Sequence, residues 1–267
     1  MMTEEKLKEL LQGVLNVAAE ASGFIRQERT RFKPEDIEIK GLNDLVSYVD
    51  KQSEQQIVKG LSALLPEAGF VVEENTASGK ADYNWIVDPL DGTTNFIHGI
   101  PSYAVSIALE YQQQILLGVV HEVSRNESFY ALKNGGAFLN GQAVRVSENK
   151  ILRDCLIATG FPIHNFTRQE AYLNTLRDLM KTTHGIRRIG AAAVDLCYLA
   201  CGRVDAFFEY NLSPWDVAAG ALIVKEAGGT ISDFKGENNW LFGREIIGTN
   251  AYITEEFSTI IRKHFLS

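Results

Sequence analysis

The chain opens with apolar residues at the spacing of an amphipathic helix. Leucine, valine and alanine recur along one face from Leu7 to Ala18. Thr3 can cap the start of this helix, and Glu4 and Glu5 suit the positive end of its dipole. The pattern therefore predicts a long N-terminal helix that packs on a core.

A polar stretch and a second helix follow. Residues 29–43 are polar and contain a proline and a glycine, which predicts a loop or a hairpin. A second helix is expected after Asp50, with Ile57 and Leu61 on its buried side, and it is expected to end before Pro66.

The middle of the chain has the composition of an antiparallel sheet. Residues 105–111, 115–121 and 128–132 are rich in β-branched and aromatic side chains, which predicts three strands. The pairs Asn134-Gly135 and Asn140-Gly141 are strong hairpin-turn signals, so the strands are expected to continue as a meander.

Beyond about residue 150 the pattern changes to strands that alternate with helices. This alternation is typical of α/β folds. Strands are expected at residues 157–160 and 204–209, and helices at 171–180, at 191–200 and from Trp215 to Gly228.

The length of 267 residues fits one large globular unit with two halves. We predict an N-terminal α+β half (1–150) and a C-terminal α/β half (151–267).

The net charge of −8 argues against bulk nucleic-acid or membrane-surface binding, which needs basic patches. Cys155, Cys197 and Cys201 are not paired by spacing and indicate reduced thiols in the cytoplasm. The charged, helical start of the chain is not expected to be a secretory signal, and no apolar run approaches the roughly 20 residues that cross a membrane.

The run Trp85–Asn95 carries the strongest chemical signal. Asp88 and Asp91 lie around a Pro-Leu turn, directly after an apolar segment typical of a buried strand. Two carboxylates at a strand end, with no Lys or Arg between them, repel each other unless a cation lies between them. Hard divalent ions, above all Mg²⁺, bind such oxygen ligands. The amides of Gly92 and Thr93 could bind a phosphate, so the run predicts metal-assisted phosphate chemistry.

Further acidic residues lie at the ends of predicted strands or helices. They are Asp50, the pair Glu73-Glu74, Glu209 and Asp216. Each has an ordinary structural alternative, because an aspartate at a helix start is usually a cap and paired glutamates usually form a solvated edge. The run from Asp88 to Gly92 alone could be a tight turn. Taken together, the acids favour a metal site.

Two motifs resemble those of the inositol monophosphatase family of Mg²⁺-dependent, lithium-sensitive phosphatases. Trp85–Asn95 matches the first motif, and residues 214–220 with residues 226–229 match the second. The resemblance extends from Lys40 to Asn250. It implies the layered αβαβα sandwich of the sugar-phosphatase fold, an α+β half followed by an α/β half.

The resemblance also implies which residues hold metal and activate water. The metal ligands would be Glu74, Asp88, the Leu90 carbonyl, Asp91 and Asp216, around two to three Mg²⁺ ions. Glu74 would also face the weaker, third ion. Thr93 and Asp50 would orient or deprotonate the attacking water, and Lys40 matches a lysine that lies near the metals.

The residues that the resemblance places around the substrate come from both halves of the chain. They are Asp91, Gly92, Thr93, Gly190, Ala191, Ala192, Glu209 and Asp216. The chain departs from the family's frequent residues at Val72, Ala191 and Ser213. These departures leave the acids in place and bear on substrate preference.

The expected function is hydrolysis of inositol 1-phosphate by direct attack of metal-activated water. We expect a cytoplasmic homodimer with no membrane partner and no direct nucleic-acid partner. Broader sugar-phosphate hydrolysis, including that of fructose 1,6-bisphosphate, is a rival, because Glu209 could bind any polyol. A non-catalytic role with the transcription machinery, which some bacterial members play, is a rival of a different kind.

Overall fold

Five layers stack in the order helices, sheet, helices, sheet, helices. The structure is a computed structural model that describes residues 2–41, 44–162 and 165–266. The predicted αβαβα sandwich is confirmed. Among the described residues, no helix has both the length and the apolar character needed to cross a membrane.

Helices and strands follow each other in mixed order. The helices are α1 (Glu4–Arg29), α2 (Tyr48–Leu64), α3 (Thr93–His98), α4 (Gln169–Thr182), α5 (Ala192–Ala200), α6 (Pro214–Glu226) and α7 (Thr254–Phe265). The strands before residue 150 are β1 (Ile37–Gly41), β2 (Asp44–Ser47), β3 (Gly69–Val72), β4 (Tyr83–Asp91), β5 (Ala104–Tyr111), β6 (Gln114–Glu122), β7 (Glu127–Leu132), β8 (Ala137–Leu139) and β9 (Gln142–Val144). The later strands are β10 (Leu156–Thr159), β11 (Gly185–Arg187), β12 (Ala206–Tyr210), β13 (Thr230–Ser232) and β14 (Glu245–Thr249).

Helices α1 and α2 form the first layer and cover one face of the larger sheet. The predicted N-terminal helix is confirmed, and Thr3 caps it by accepting a hydrogen bond from the Lys6 amide at 3.3 Å. Leu10, Val14 and Ala18 of its apolar stripe are buried, and the leucines beside them are half-buried. Each large apolar side chain buried in this way contributes roughly 1.5–3 kcal/mol.

The larger sheet has the strand order β3-β4-β5-β6-β7-β8-β9. Strands β3 and β4 are parallel, and the later neighbours are antiparallel, so the predicted meander is confirmed. Asn134 and Asn140 adopt φ angles of 63° and 47° at its hairpin turns. Asparagine tolerates this left-handed backbone better than most residues, which explains the strength of the sequence signal.

Helices α5 and α6 fill the layer between the two sheets. Helix α6 contacts β5 and β6, and α5 contacts β10, β12 and β14. Every residue of α5 is buried, which matches a helix that is apolar on all sides. Gly118 of β6 allows the close approach of α6, because a Cβ there would lie 2.9 Å from the Ala219 carbonyl oxygen.

The smaller sheet has the order β11-β10-β12-β14-β13, and α4 and α7 cover its outer face. Strands β11, β10 and β12 are parallel, whereas β14 pairs antiparallel with β12 and β13. The carboxyl ends of the three parallel strands therefore meet at one edge of the sheet, where ligand sites of open α/β sheets lie.

The structure corrects the predicted start of the second helix and adds elements. Helix α2 begins at Tyr48, not after Asp50, because Ser47 caps it and Asp50 lies within its first turn. The end of the polar stretch forms β1, which pairs antiparallel with β2, in agreement with the hairpin alternative; residues 42 and 43 lie outside the described chain. Strands β11 and β13 have three residues each, too few to show an alternating pattern. The boundary near residue 150 stays a prediction.

Candidate active site

The pairing of β4 with β5 slips by one residue between Asp88 and Asp91. Asp88 pairs with Ser106 and Asp91 with Ala104, so three steps along β4 match two steps along β5. In a regular strand, residues three positions apart point to opposite faces. The extra residue of this bulge brings both carboxylates to one side, and both line the same cavity.

Hydrogen bonds hold the bulge in place. Asp88 is buried, and its Oδ1 accepts a hydrogen bond from the Leu90 amide at 2.9 Å. The Ser53 hydroxyl of α2 donates to the Pro89 carbonyl at 3.1 Å. The turn is therefore fixed both from within and from the helix layer behind it.

Thr93 and Asp50 join the end of the bulge to the start of α2. Thr93 Oγ1 lies 2.9 Å from Asp50 Oδ1 and 3.0 Å from the Leu90 carbonyl oxygen, and its one proton can go to only one of them at a time. Asp50 Oδ2 accepts from the Ser47 amide at 2.8 Å and from the Ser47 hydroxyl at 2.7 Å. Burial raises the pKa of Asp50, and these hydrogen bonds oppose that rise.

Asp216 repeats this arrangement at the start of α6. Its Oδ2 accepts a hydrogen bond from the Ser213 amide at 2.6 Å. In both helices the serine is the cap and the aspartate is the third residue of the first turn. One oxygen of each aspartate thus serves the helix start, and the other is left for the site.

The acids of the cavity repel one another. Burial is the main cause that raises the pKa of Asp88, Asp91 and Asp216, and the charges of neighbouring acids add to it for Asp88 and Asp91. Hydrogen bonding to the Ser213 amide, and then the charge of Arg244, oppose the rise in the pKa of Asp216. Among the charged neighbours that raise the pKa of Asp88, Glu73 has the largest effect. Grouped acids of this kind are typical of a site that a cation neutralises.

The donor set of the cavity fits a hard cation. Several carboxylates line it, together with Leu90, whose backbone offers a carbonyl oxygen. None of its described lining residues is a histidine or a cysteine. Mg²⁺ prefers such oxygen ligands, whereas structural zinc sites use nitrogen and sulfur. As they stand, no three His, Cys, Asp or Glu groups within residues 2–41, 44–162 and 165–266 are gathered tightly enough to hold an ion. The acids would therefore have to draw together around one.

Residues of the second half form the opposite wall of the cavity, which has a volume of about 590 Å³. Glu209 of β12 lies against Gly160, where a Cβ would overlap the Glu209 carboxyl group. Burial and then the charge of Asp216 raise the pKa of Glu209. Arg188, 5.5 Å from the centre of the Phe161 ring, opposes this rise. This wall therefore offers two acids, Glu209 and Asp216, and two cations, Arg188 and Arg244, to a ligand.

Gly92 and the segment Gly190–Ala192 bring the two walls together. Gly92 has a φ of 88°, and a Cβ there would lie 3.0 Å from the Ser102 carbonyl oxygen and 3.1 Å from the Ala191 Cβ. The Ala193 amide donates to Asp91 Oδ2 at 2.7 Å, so α5 is docked directly on the acids. A larger residue at position 92 would have a strained backbone and would push Ala191 away from the turn.

The cavity brings together most of the residues predicted from the sequence. Those that line it are Glu74, Asp88, Leu90, Asp91, Gly92, Thr93, Gly190, Ala191, Ala192, Glu209 and Asp216. Asp50 is absent from that lining and lies behind Thr93. The side chain of Lys40 lies outside the described part of the structure. The role of each residue in the reaction stays a prediction.

Sequence reasoning gave no separate role to Glu73 and missed the cations Lys51, Arg188 and Arg244, all of which line the cavity. The strand register holds the signal for Glu73. Val72 of β3 pairs with Val87 of β4, so the next residues along the two parallel strands are Glu73 and Asp88. The order of strands in the sheet is needed for this inference, and a single sequence does not supply it.

The layered fold and its cavity, lined with acids that come from both sheets, define a two-sheet α/β protein with a candidate active site. The chain belongs to the inositol monophosphatase family, whose model matches residues 6–264. It is 42% identical over 264 residues to the Nus factor SuhB of Pseudomonas aeruginosa, with 97% of each chain covered. It is 39% identical over 256 residues to the inositol-1-monophosphatase of Mesorhizobium japonicum, covering 95% of this chain and 96% of that protein. The crystal structure of the extragenic suppressor protein suhB from Bartonella henselae has a TM-score of 0.90 at 40% identity, covering 96% of this chain and 99% of that one.

Proposed function

We propose that the protein is a Mg²⁺-dependent phosphatase that hydrolyses phosphate monoesters and prefers inositol 1-phosphate. The observation that carries the proposal is the bulge of β4, which turns Asp88 and Asp91 to the same side as Asp216. Family membership and the relative named inositol-1-monophosphatase support the reaction class.

Four acids that line the cavity and one backbone carbonyl are the proposed metal ligands. They are Glu74, Asp88, Asp91, Asp216 and the carbonyl of Leu90. Glu73 joins them because the β3–β4 register places it next to Asp88. Bound Mg²⁺ would supply Lewis acidity that neutralises the phosphate, lowers the pKa of water and stabilises the leaving alkoxide.

Thr93 and Asp50 are the proposed path by which the attacking water loses its proton. When the Thr93 hydroxyl donates to Asp50 Oδ1, the lone pairs of Thr93 Oγ1 can accept a proton from water. Asp50 takes the threonine proton as water gives up its own, and burial raises the pKa of Asp50 in the direction that favours this transfer. Water oxygen then attacks phosphorus, the ester P–O bond breaks, and the alkoxide takes a proton from solvent.

The substrate is proposed to lie between the two walls. The amides of Gly92 and Thr93 would bind the phosphate at a turn where no side chain stands in the way. Glu209 and the segment Gly190–Ala192 would line the polyol end. The cavity volume of about 590 Å³ falls within the roughly 300–1,000 Å³ typical of small-molecule sites.

The test is Mg²⁺-dependent phosphate release from inositol 1-phosphate, fructose 1,6-bisphosphate, histidinol phosphate and adenosine 3′,5′-bisphosphate. Asp91→Asn is the matched variant, because its amide oxygen can still accept from the Ala193 amide while the charge is lost. We expect turnover of inositol 1-phosphate and a loss of at least about 100-fold in the variant, beyond the usual effect of an outer-shell change. Preference for another ester would replace the substrate. No release from any ester would overturn the proposal.

A second role is proposed because a relative of 42% identity is named a Nus factor. Such a role would be played through a protein partner and need not use catalysis. The net charge of −8 disfavours direct nucleic-acid contact and leaves a protein partner open. Asp91→Asn separates the two roles, because a partner role survives it.

We also propose that the protein is a homodimer. Sedimentation equilibrium would test this by measuring the mass of the particle in solution.

A further inference from the structure

Glu54 is a fully buried carboxylate that the proposed reaction does not use. It lies on α2 one turn after Asp50, and none of its surface is exposed. Within the described chain, no Lys, Arg or His forms an ion pair with it. A buried charge without a cation partner must be held by hydrogen bonds, so its partners show what it does.

Both oxygens of Glu54 accept hydrogen bonds from the backbone of one loop. Oε2 accepts from the Glu74 amide at 2.7 Å, and Oε1 accepts from the Thr76 amide at 2.8 Å. Asn75, between these residues, has a φ of 58°, which is uncommon for a residue other than glycine. The carboxylate therefore clamps the loop after β3 on both sides of a left-handed residue.

This loop carries two acids to the metal site. Glu73 and Glu74 both line the cavity, and the β3–β4 register places Glu73 beside Asp88. A small displacement of the loop would change the distance between these acids and Asp88. The contact of Glu54 with the loop therefore bears on the geometry of the whole acid cluster.

The same face of α2 holds two other parts of the site. Residues 50, 53 and 54 lie on one side of the helix, since they are three and four positions apart. Asp50 bonds to the Thr93 hydroxyl, Ser53 bonds to the Pro89 carbonyl, and Glu54 bonds to the loop after β3. One helix face thus sets the relative places of three segments that are far apart in the chain.

We propose that Glu54 is a positioning residue for the metal site, which places the Glu73-Glu74 loop against Asp88 by binding the Glu74 and Thr76 amides. The inference rests on the proposed Mg²⁺ site. A carboxylate is needed because both partners are donors. A glutamine would turn its NH₂ group toward one of them and leave that buried amide without an acceptor.

The test compares Glu54→Gln with Glu110→Gln. Glu110 is a matched control: it is buried, it accepts from the Gln113 amide and from the Asn84 side chain, and it does not line the cavity. Binding of Mn²⁺, measured without substrate from the electron paramagnetic resonance of the free ion, should weaken about 10–100-fold in Glu54→Gln. Binding by Glu110→Gln should stay at the wild-type value. Hydrogen exchange should be faster at the Glu74 or the Thr76 amide in Glu54→Gln, and unchanged at both amides in Glu110→Gln.

Kinetics supply the second measurement. With inositol 1-phosphate as substrate, the Mg²⁺ concentration for half-maximal activity of Glu54→Gln should rise. The factor should equal the factor by which the dissociation constant for Mn²⁺ rises. At saturating Mg²⁺ its kcat should recover to within about threefold, with KM little changed, because no group that touches the substrate is lost. Glu54→Asp, which keeps the charge but is too short to reach both amides, is the second variant should Glu54→Gln fail to fold.

Two results would overturn the inference: wild-type ion binding by folded Glu54→Gln, or an equal loss of binding in Glu110→Gln. Failure of the proposed function gives a different pattern. A wild-type protein whose Mn²⁺ binding depends on Glu54, but which releases phosphate from no ester, would refute the phosphatase and leave the role of Glu54 standing. Absence of Mn²⁺ binding by the wild type would refute both.

Discussion

Thr93 Oγ1 lies 2.9 Å from Asp50 Oδ1, although 43 residues separate the two in the chain. Thr93 begins α3 directly after the bulge, and Asp50 lies in the first turn of α2. Because Ser47 holds the other Asp50 oxygen at 2.7–2.8 Å, backbone geometry sets the direction of the free one. The proposed proton path therefore depends on how α2 is seated against the larger sheet.

Thr93→Val should lower kcat with little effect on ion binding. Valine keeps the shape of threonine and removes the hydroxyl through which water would pass its proton. Loss of general-base assistance costs roughly 10²–10⁴-fold in rate. Steady-state kinetics with inositol 1-phosphate at saturating Mg²⁺ would measure it. Thr182→Val, at an exposed position of α4 that does not line the cavity, should keep the wild-type rate. A Thr93→Val enzyme with wild-type kcat would remove Thr93 from the mechanism.

Gly160→Ala should raise the KM for substrate and have little effect on the free energy of unfolding. The new Cβ would overlap the Glu209 carboxyl group, which is the far end of a flexible side chain and can move aside. If Glu209 binds substrate hydroxyls, loss of one such charged hydrogen bond raises KM roughly tenfold. Gly23→Ala in α1 is the control, since a Cβ there meets nothing within 4 Å. An unchanged KM for inositol 1-phosphate in Gly160→Ala would argue against Glu209 as a substrate contact.

Asp91→Asn should stabilise the metal-free protein. Burial, and then the charge of Asp216, raise the pKa of Asp91 in the folded protein. The ionised side chain therefore destabilises the fold as the pH rises above the pKa of the unfolded chain, and the effect is complete above the folded pKa. Removing this charge should raise the free energy of unfolding by roughly 1–2 kcal/mol at neutral pH. Urea unfolding in a chelator would show it.

The exposed Asp82→Asn is the control for this experiment, and it should leave the free energy of unfolding unchanged. Saturating Mg²⁺ should reverse the order of wild type and Asp91→Asn, because bound ligand stabilises only a protein that binds it. A variant that is less stable without metal would show that Asp91 is not under repulsion.

His121 should make stability depend on pH in mildly acidic solution. It is buried with Nδ1 2.8 Å from the Ser128 hydroxyl oxygen, and burial lowers its pKa to about 4. The unfolded chain, with a pKa of about 6.5, binds more protons between these values, so stability falls as pH falls through this window. The loss amounts to roughly 3 kcal/mol by pH 4.

Urea unfolding of wild type and His121→Gln at pH 7 and pH 4 would measure this effect as a difference between the two proteins. The exposed His98→Gln should retain the wild-type pH dependence. An equal fall of stability in wild type and His121→Gln would mean that His121 does not titrate in this range.

The elements with strong periodicity could be predicted from the sequence. The apolar stripe of α1 and the asparagine turns of the meander follow from local chemistry, because each needs only neighbours within a few residues. The three-residue strand β11 could not be predicted, since its place depends on pairing with β10. Local pattern cannot supply a partner that is distant in the chain.

The site shows the same division. Asp88 and Asp91 could be recognised from their spacing, but a regular strand would point them apart, and only the slipped pairing with Ser106 and Ala104 explains their meeting. The choice between Glu73 and Glu74 likewise depends on the register of β3. Arg188 gave no signal, because a pair of arginines such as Arg187-Arg188 has many ordinary uses.

The serine-capped starts of α2 and α6 tie the site to the integrity of two helices. Asp50 and Asp216 each give one oxygen to their own helix start, so opening of either first turn would withdraw an acid. Ser47 and Asp50 are buried, so we expect the first turn of α2 to open only together with the core around it. On warming, we therefore expect activity and the fold to be lost over the same range of temperature.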